Sequence, residues 1–177
     1  MATRTTITWE EFLAAGEEGQ RWEWVDGEVE FMSPVNLRHE RFLVRLIGYL
    51  DRFCQLHPEW VPFASNGIFT MASGNWRMPD ASLVRSARFQ GQIPTKADFA
   101  PDVAFEILSP NDSPSQIQRK RLDYQQSGVI QAWFDLERRL VELIHPDRPL
   151  QYYDQNQMLT IDIVPSFSID LKGLFSI

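Results

Sequence analysis

Two carboxylates and a lysine carry the possible chemistry of this sequence. In "FAPDVAFEILSP" the apolar residues Val103, Ala104, Phe105, Ile107 and Leu108 form a short run of buried-strand type, with Glu106 in its middle. An ionised carboxylate is costly to bury alone and needs a partner, a proton or a metal. Two Pro-Asp steps supply candidate partners, Asp102 in the same stretch and Asp80 in "RMPDASLV". Two carboxylates held a few ångströms apart repel, and one takes up a proton unless a cation lies between them. Oxygen ligands of this kind favour Mg²⁺ or Mn²⁺, which recruit phosphate oxygens and activate water. A basic residue completes such a centre. Ile117, Lys120 and Tyr124 fall at i, i+3 and i+7, so Lys120 shares a helix stripe with two core-type residues.

The elements that must position these groups are legible in the pattern. Along the Glu106 strand, Asp102, Ala104, Glu106 and Leu108 face one way, and Val103, Phe105 and Ile107 the other. Both faces are apolar apart from the acids, which predicts a central strand. Pro79 cannot donate a ladder hydrogen bond, which places Asp80 at a strand end or bulge, within reach of Glu106 from an adjacent strand. "SPNDSPSQIQRKRLDYQQSG" predicts a helix capped by Ser113, with Pro114 at its first position, Gln116 completing a capping box and Gly128 at its end. Because it follows the Glu106 strand, this helix should pack on that strand and aim Lys120 at the acids.

Upstream, Thr8 and Glu11 predict a short capped helix ending near Gly16. "RWEWVDGEVEFMSP" predicts a hairpin turning at Asp26-Gly27, with Trp22 and Trp24 on one face and Glu23 and Val25 on the other. A long helix over 36–55 carries Leu43, Leu46, Ile47, Leu50 and Phe53 as its core stripe, with His39 at its start. "WVPFASNGIFTM", "WRMPDASLVR", "VIQAWFDLE" and "RLVELIHP" read as strands, and "PLQYYD" with "MLTIDIVP" as a last hairpin. The expected architecture is α/β or α+β, a central mixed sheet flanked by helices with N- and C-terminal hairpins.

With 177 residues, 1–177 is expected to form a single domain. Hydrophobic residues make up 44%, with six Trp and twelve Phe, enough to build a core of globular type. Cys54 is the sole cysteine, which excludes an intramolecular disulfide and predicts a buried thiol. No apolar run approaches a membrane span, and the first residues lack the apolar core of a signal peptide, so a cytoplasmic setting without membrane contact is expected. The net charge of −7 argues against broad attraction to nucleic acid, although clustered acids are what a metal-dependent nuclease needs at its centre.

Taken in order, "WEWVDGEVEFMSP", His39, "RMPDASLV", "PDVAFEILSPND", and "KRLDYQQSGV" followed by Trp133 cover nearly the whole chain and resemble the Uma-two family of restriction-endonuclease-like proteins, in the PD-(D/E)XK nuclease superfamily. The resemblance implies a restriction-endonuclease-like fold. It matches Asp80 to the Pro-Asp metal ligand, Glu106 to the acidic residue of the (D/E)XK step and the main-chain carbonyl of Ile107 to a further ligand. Glu23 matches an acidic position in the N-terminal hairpin, and His39 is placed near the acids, bonded to a carboxylate or to substrate. The chain departs from the pattern at Leu108, where the superfamily lysine would stand, and Lys120 fits the migrated position. Gln131 and Ala132 replace a usual Glu-Tyr pair, a change assigned to strand packing or an interface.

Each residue also has an ordinary structural role open to it. Glu106 can pair with an arginine, Asp80 can serve a turn, Asp102 can hydrogen-bond a strand mouth or loop, Glu23 can be solvated, Lys120 can snorkel to water and His39 can be a satisfied core histidine. The tryptophans are expected in the core. Arg85, Arg88, Lys96, Arg138 and Arg139 are the available phosphate contacts. The expectation is a Mg²⁺- or Mn²⁺-dependent endonuclease acting on nucleic acid, with DNA as the substrate and a homodimer as a compatible assembly. The alternative is a catalytically silent module of the same fold that binds nucleic acid or a partner protein.

Overall fold

The computed structural model describes residues 10, 11, 14, 22–32 and 35–176. Glu10, Glu11 and Ala14 are helical, whereas the capping residue Thr8 and the stop at Gly16 lie outside the described residues. The N-terminal hairpin forms where expected. Strands β1 (Trp22–Val25) and β2 (Glu28–Phe31) pair antiparallel with Val25 opposite Glu28. Asp26 and Gly27 both take positive φ, 52° and 95°, as a two-residue turn of this hand requires.

Helix α1 (Leu37–Leu56) is capped by Asn36, whose side chain accepts from the backbone N–H of His39. Its buried stripe is Phe42, Leu43, Leu46, Leu50 and Cys54, while Ile47 and Phe53 pack at the margin. The segments read as two long strands then divide. "WVPFASNGIFTM" gives β3 (Trp60–Ala64) and β4 (Phe69–Thr70), parted where the Gly67 N–H bonds back to Ala64. "WRMPDASLVR" gives β5 (Trp76–Arg77) and β6 (Ala81–Arg85), parted at Pro79, which has no N–H for a ladder. The pieces belong to different sheets.

The remaining elements are β7 (Val103–Ile107), α2 (Pro114–Gln126), β8 (Ile130–Asp135), β9 (Leu140–Ile144), β10 (Gln151–Asp154), β11 (Met158–Thr160), β12 (Ser168–Asp170) and α3 (Leu171–Phe175). A six-stranded sheet runs β10-β9-β8-β7-β6-β3, and a four-stranded sheet runs β2-β1-β5-β4. Within the larger sheet β7 and β8 are parallel, joined through α2, and the other pairs are antiparallel. The C-terminal hairpin is built from other strands than expected. β10 returns along β9 with Asp154 opposite Leu140, and β11 pairs with β12. Leu159 and Ile169 sit opposite one another across that second pair, both fully buried, so the apolar residues of the last segment are satisfied in the core beside α1 rather than against β10.

The parity of β7 sorts the interior. Val103, Phe105 and Ile107 join α1 and the C-terminal segment in one core, and Ala104 joins Val84, Tyr124 and Trp133 in another on the α2 side. Glu106 shares the α2 face by alternation. Among the described residues no helix is long and apolar enough to cross a membrane.

Candidate active site

Strands of both sheets and the helices α1 and α2 converge on a cleft. Its walls include Glu23, His39, Arg77, Asp80, Glu106, Ile107 and Lys120, with Val35, Ile117 and Trp133 supplying apolar surface. Asp80 immediately precedes β6, where Ala81 lies opposite Phe105, so the antiparallel register brings Asp80 level with Glu106. Asp80 Oδ2 accepts from the Ile107 N–H at 2.9 Å and lies 3.3 Å from His39 Nε2. The first turn of α1 thus delivers His39 to the end of β6. The expected pairing of Glu106 with Asp80 is met in geometry.

Asp102 instead supports the far end of the strand pair. Its Oδ2 accepts from the backbone N–H of Arg85 at 2.9 Å and lies 3.4 Å from Arg88 Nη1.

Helix α2 packs on the even-numbered face of β7 and points Lys120 inward. Lys120 Nζ lies 2.8 Å from Glu106 Oε1 and 3.1 Å from Glu23 Oε1, and the residue is 8% exposed. The expected direction of Lys120 therefore holds, and snorkelling to water does not occur. One helical turn later Tyr124 donates its hydroxyl to the same Glu106 oxygen at 2.6 Å. Glu23, on the inward face of β1, is buried rather than solvated. It accepts from Arg77 Nη1 and from the Met78 N–H, each at 2.8 Å.

Sequence reasoning missed the group beside these residues. Arg77 is 1% exposed and spans Glu23 and Asp123, with Nε 2.8 Å and Nη2 2.6 Å from Asp123 Oδ2. Asn75 Nδ2 donates to both oxygens of Asp123, and the Ser73 hydroxyl donates to Oδ1. The available signal was spacing: Asp123 and Tyr124 stand three and four residues after Lys120, on the same helix face. Arg77 gave no such signal, because nothing in a two-residue strand announces a buried guanidinium.

Burial pushes the Glu106 carboxyl up, Lys120 pulls it down, and the Asp80 and Glu23 charges push it up again, leaving it at about 7. The close Lys120 contact is outweighed. Glu23 goes the other way: burial raises it, but Lys120, Arg77 and the Met78 N–H more than offset this and hold it below the usual carboxylate range. Burial works against the charge on Lys120, but Glu106, Glu23 and Asp80 overcome it and raise its pKa, so the ammonium stays protonated.

The buried set holds four carboxylates, Glu23, Asp80, Glu106 and Asp123, against two permanent cations, Arg77 and Lys120. That excess suits a divalent cation at the Asp80–Glu106 edge. Among the described residues no group of three or more His, Cys, Asp and Glu side chains could close around a metal ion. Asp80 and Glu106 are the carboxylates that could meet a cation which keeps several of its waters.

The other candidates lie elsewhere. Arg85 sits at the opposite end of β6 from Asp80, stacked on Trp60 and 3.6 Å from Asp102. Arg88 donates to the Ala100 carbonyl and stacks on Phe99, while Lys96 stacks on Trp76 and reaches the Thr70 hydroxyl. None of the three lines the cleft. Arg138 and Arg139 follow β8 in an exposed turn. Trp22, Trp24, Trp60 and Trp133 are buried, as expected of core residues. Gln131 accepts from the Trp133 indole N–H and donates to the Arg121 carbonyl, so its substitution falls in strand packing beneath α2.

A family of proteins described as "Uma2: Putative restriction endonuclease" matches residues 9–172. The fold is similar to the crystal structure of a protein described as a putative nuclease belonging to DUF820 from Anabaena variabilis, with a TM-score of 0.84 and 20% identity over 97% of this chain and 98% of that one. No curated protein matches the chain. The central mixed sheet flanked by helices, expected from the sequence, is thus present, in a fold similar to that of the Anabaena variabilis protein.

Proposed function

Since the chain belongs to the Uma2 family of restriction-endonuclease-like proteins, we propose that it hydrolyses phosphodiester bonds in DNA at the cleft between β6, β7 and α2, with Mg²⁺ or Mn²⁺ as cofactor. The observation that carries this reading is the position of Lys120. Its ammonium reaches Glu106 Oε1 from α2 at 2.8 Å, which supports the reading that Lys120 stands in for the lysine that the chain lacks at Leu108.

Asp80, Glu106 and the Ile107 carbonyl would hold the cation, and the Ile107 N–H fixes the Asp80 carboxylate. Bound there, the ion would neutralise phosphate charge and lower the pKa of water. Lys120, protonated between two carboxylates, orients the attacking water and stabilises negative charge growing on the phosphoryl oxygens; it is not the proton acceptor. His39, 3.3 Å from Asp80, orients that carboxylate. The water oxygen bonds to phosphorus as the P–O3′ bond breaks; the water gives up a proton to solvent and the leaving 3′ oxygen takes one up, leaving a 5′-phosphate and a 3′-hydroxyl.

The test is cleavage of plasmid, linear and single-stranded DNA with Mg²⁺, Mn²⁺ or EDTA, with Glu106→Gln and Asp80→Asn alongside. Metal-dependent cutting lost in both variants is expected. No cutting of any substrate, together with no Mn²⁺ binding by calorimetry, rejects the enzyme reading in favour of a silent binding module. Cutting that persists in both variants moves the site.

A further inference from the structure

Two donors on one face of α2 converge on a single atom. Lys120 Nζ and the Tyr124 hydroxyl, one helical turn apart, both contact Glu106 Oε1, at 2.8 Å and 2.6 Å. Glu106 lines the cleft, and its side-chain hydrogen bond and ion pair among the described residues both fall on Oε1. The oxygen left to meet a cleft ligand is Oε2. Rotation of the carboxylate to offer both oxygens would break two charge-assisted bonds in a buried setting, where such bonds are strong.

We infer that Tyr124 is a positioning residue which, together with Lys120, presents Glu106 to a cation through one oxygen only and so sets the preference of the site for Mg²⁺ or Mn²⁺ over Ca²⁺. The inference rests on the metal site of the nuclease reading. Ca²⁺ takes six to eight oxygens and readily accepts a carboxylate through both, whereas Mg²⁺ demands near-octahedral geometry and few protein ligands. A carboxylate locked to one free oxygen penalises the larger ion. The Tyr124 ring also packs among Ala104, Val129 and Trp133, so its hydroxyl must be separated from its bulk.

Tyr124→Phe does this. Mn²⁺ and Ca²⁺ binding to the wild type and the variant would be measured by calorimetry, with thermal melts to show that the fold is intact. The expected result is a shift of the Mn²⁺:Ca²⁺ affinity ratio toward Ca²⁺ of about tenfold, the size expected for one lost hydrogen bond to a charged group. An unchanged ratio in a folded variant, with Mn²⁺ still binding the wild type, overturns the inference and leaves the nuclease reading standing. Absence of Mn²⁺ binding to the wild type overturns the inference, and together with no cutting of any DNA substrate it overturns the nuclease reading as well. Should Tyr124→Phe fail to fold, Lys120→Gln removes the other donor to the same oxygen. An unchanged ratio there, with wild-type Mn²⁺ binding intact, equally rejects the role of Oε1 in selecting the ion.

Discussion

One buried polar cluster has two halves that differ in charge balance rather than in burial. In the first, Arg77 is clamped between Glu23 and Asp123, with Asn75 and Ser73 completing the shell of Asp123. In the second, His39, Asp80, Glu106, Tyr124 and Lys120 line or back the cleft. Members of both halves are nearly inaccessible to water: Arg77 is 1% exposed and Asp123 5%, Asp80 and Glu106 each 4%. The carboxylates nevertheless respond in opposite directions, Glu23 held below its usual range and Glu106 raised to about 7. Glu23 joins the halves, meeting Arg77 through Oε2 and Lys120 through Oε1. A buried carboxylate alone is therefore no mark of a site. A carboxylate whose buried neighbours leave it in surplus is one.

The clamp ties three elements together, β1 through Glu23, β5 through Arg77 and α2 through Asp123. Removing its only guanidinium strands two buried carboxylates. Arg77→Leu should destabilise the fold by about 3–5 kcal/mol, the range for breaking a buried ion pair from one side. For a chain of this size that lowers the melting temperature by roughly 6–20 °C, read by differential scanning calorimetry. A drop of only a degree or two would erase the distinction between the halves.

The cleft half should answer with the opposite sign. Glu106 has a folded-state pKa of about 7, above the ordinary 4.5. A raised pKa means that the folded state holds the proton more tightly than the unfolded chain does. The stability this gives is complete below about pH 4.5 and is lost as pH rises through 7. Glu106→Gln cannot lose it. Without added metal, the variant should gain on the wild type by up to about 3 kcal/mol between pH 5 and pH 8. Urea melts at the two pH values measure the gain directly. Greater loss of stability in Glu106→Gln at pH 8 than at pH 5 would place Glu106 with the clamp, as a structural partner of Lys120.

How far this division could be read from the sequence depends on the range of the interactions involved. Local signals were faithful: the turn at Asp26-Gly27, the Asn36 end of α1, the Ser113 capping box and the alternation along β7 all act within a few residues. Alternation also gave the inward direction of Lys120, because α2 must cover the face of the strand it follows. The pairing of β10 with β9 rather than with β11 was not legible, since both choices satisfy the same alternation and only the distant core beside α1 decides. The Arg77 clamp was hidden for a related reason. Its partners lie 54 and 46 residues away in sequence, and an arginine in a two-residue strand looks like any solvated arginine. The arginines expected to contact phosphate stand away from the cleft: Arg85 shares a strand with Ala81, the neighbour of Asp80, but stands at its other end.

The finest division concerns Glu30, which sits at the rim of the cleft and could belong to either half. It pairs with Arg119 of α2 and lies 3.8 Å from Arg77. The Arg119 side chain is 47% exposed and that of Glu30 22%, so water screens their attraction, and ordering two long side chains offsets part of it. Pairs of this kind contribute about 0–1 kcal/mol. Arg119→Ala should therefore change stability by less than about 1 kcal/mol, with a salt-sensitive remainder visible in melts at low and high ionic strength. A loss of more than about 2 kcal/mol, beyond the range of exposed pairs, would mean that Arg119 keeps Glu30 from adding an unmatched charge beside Arg77. The closed half would then extend across the mouth of the cleft, and Arg119 would be its outermost member.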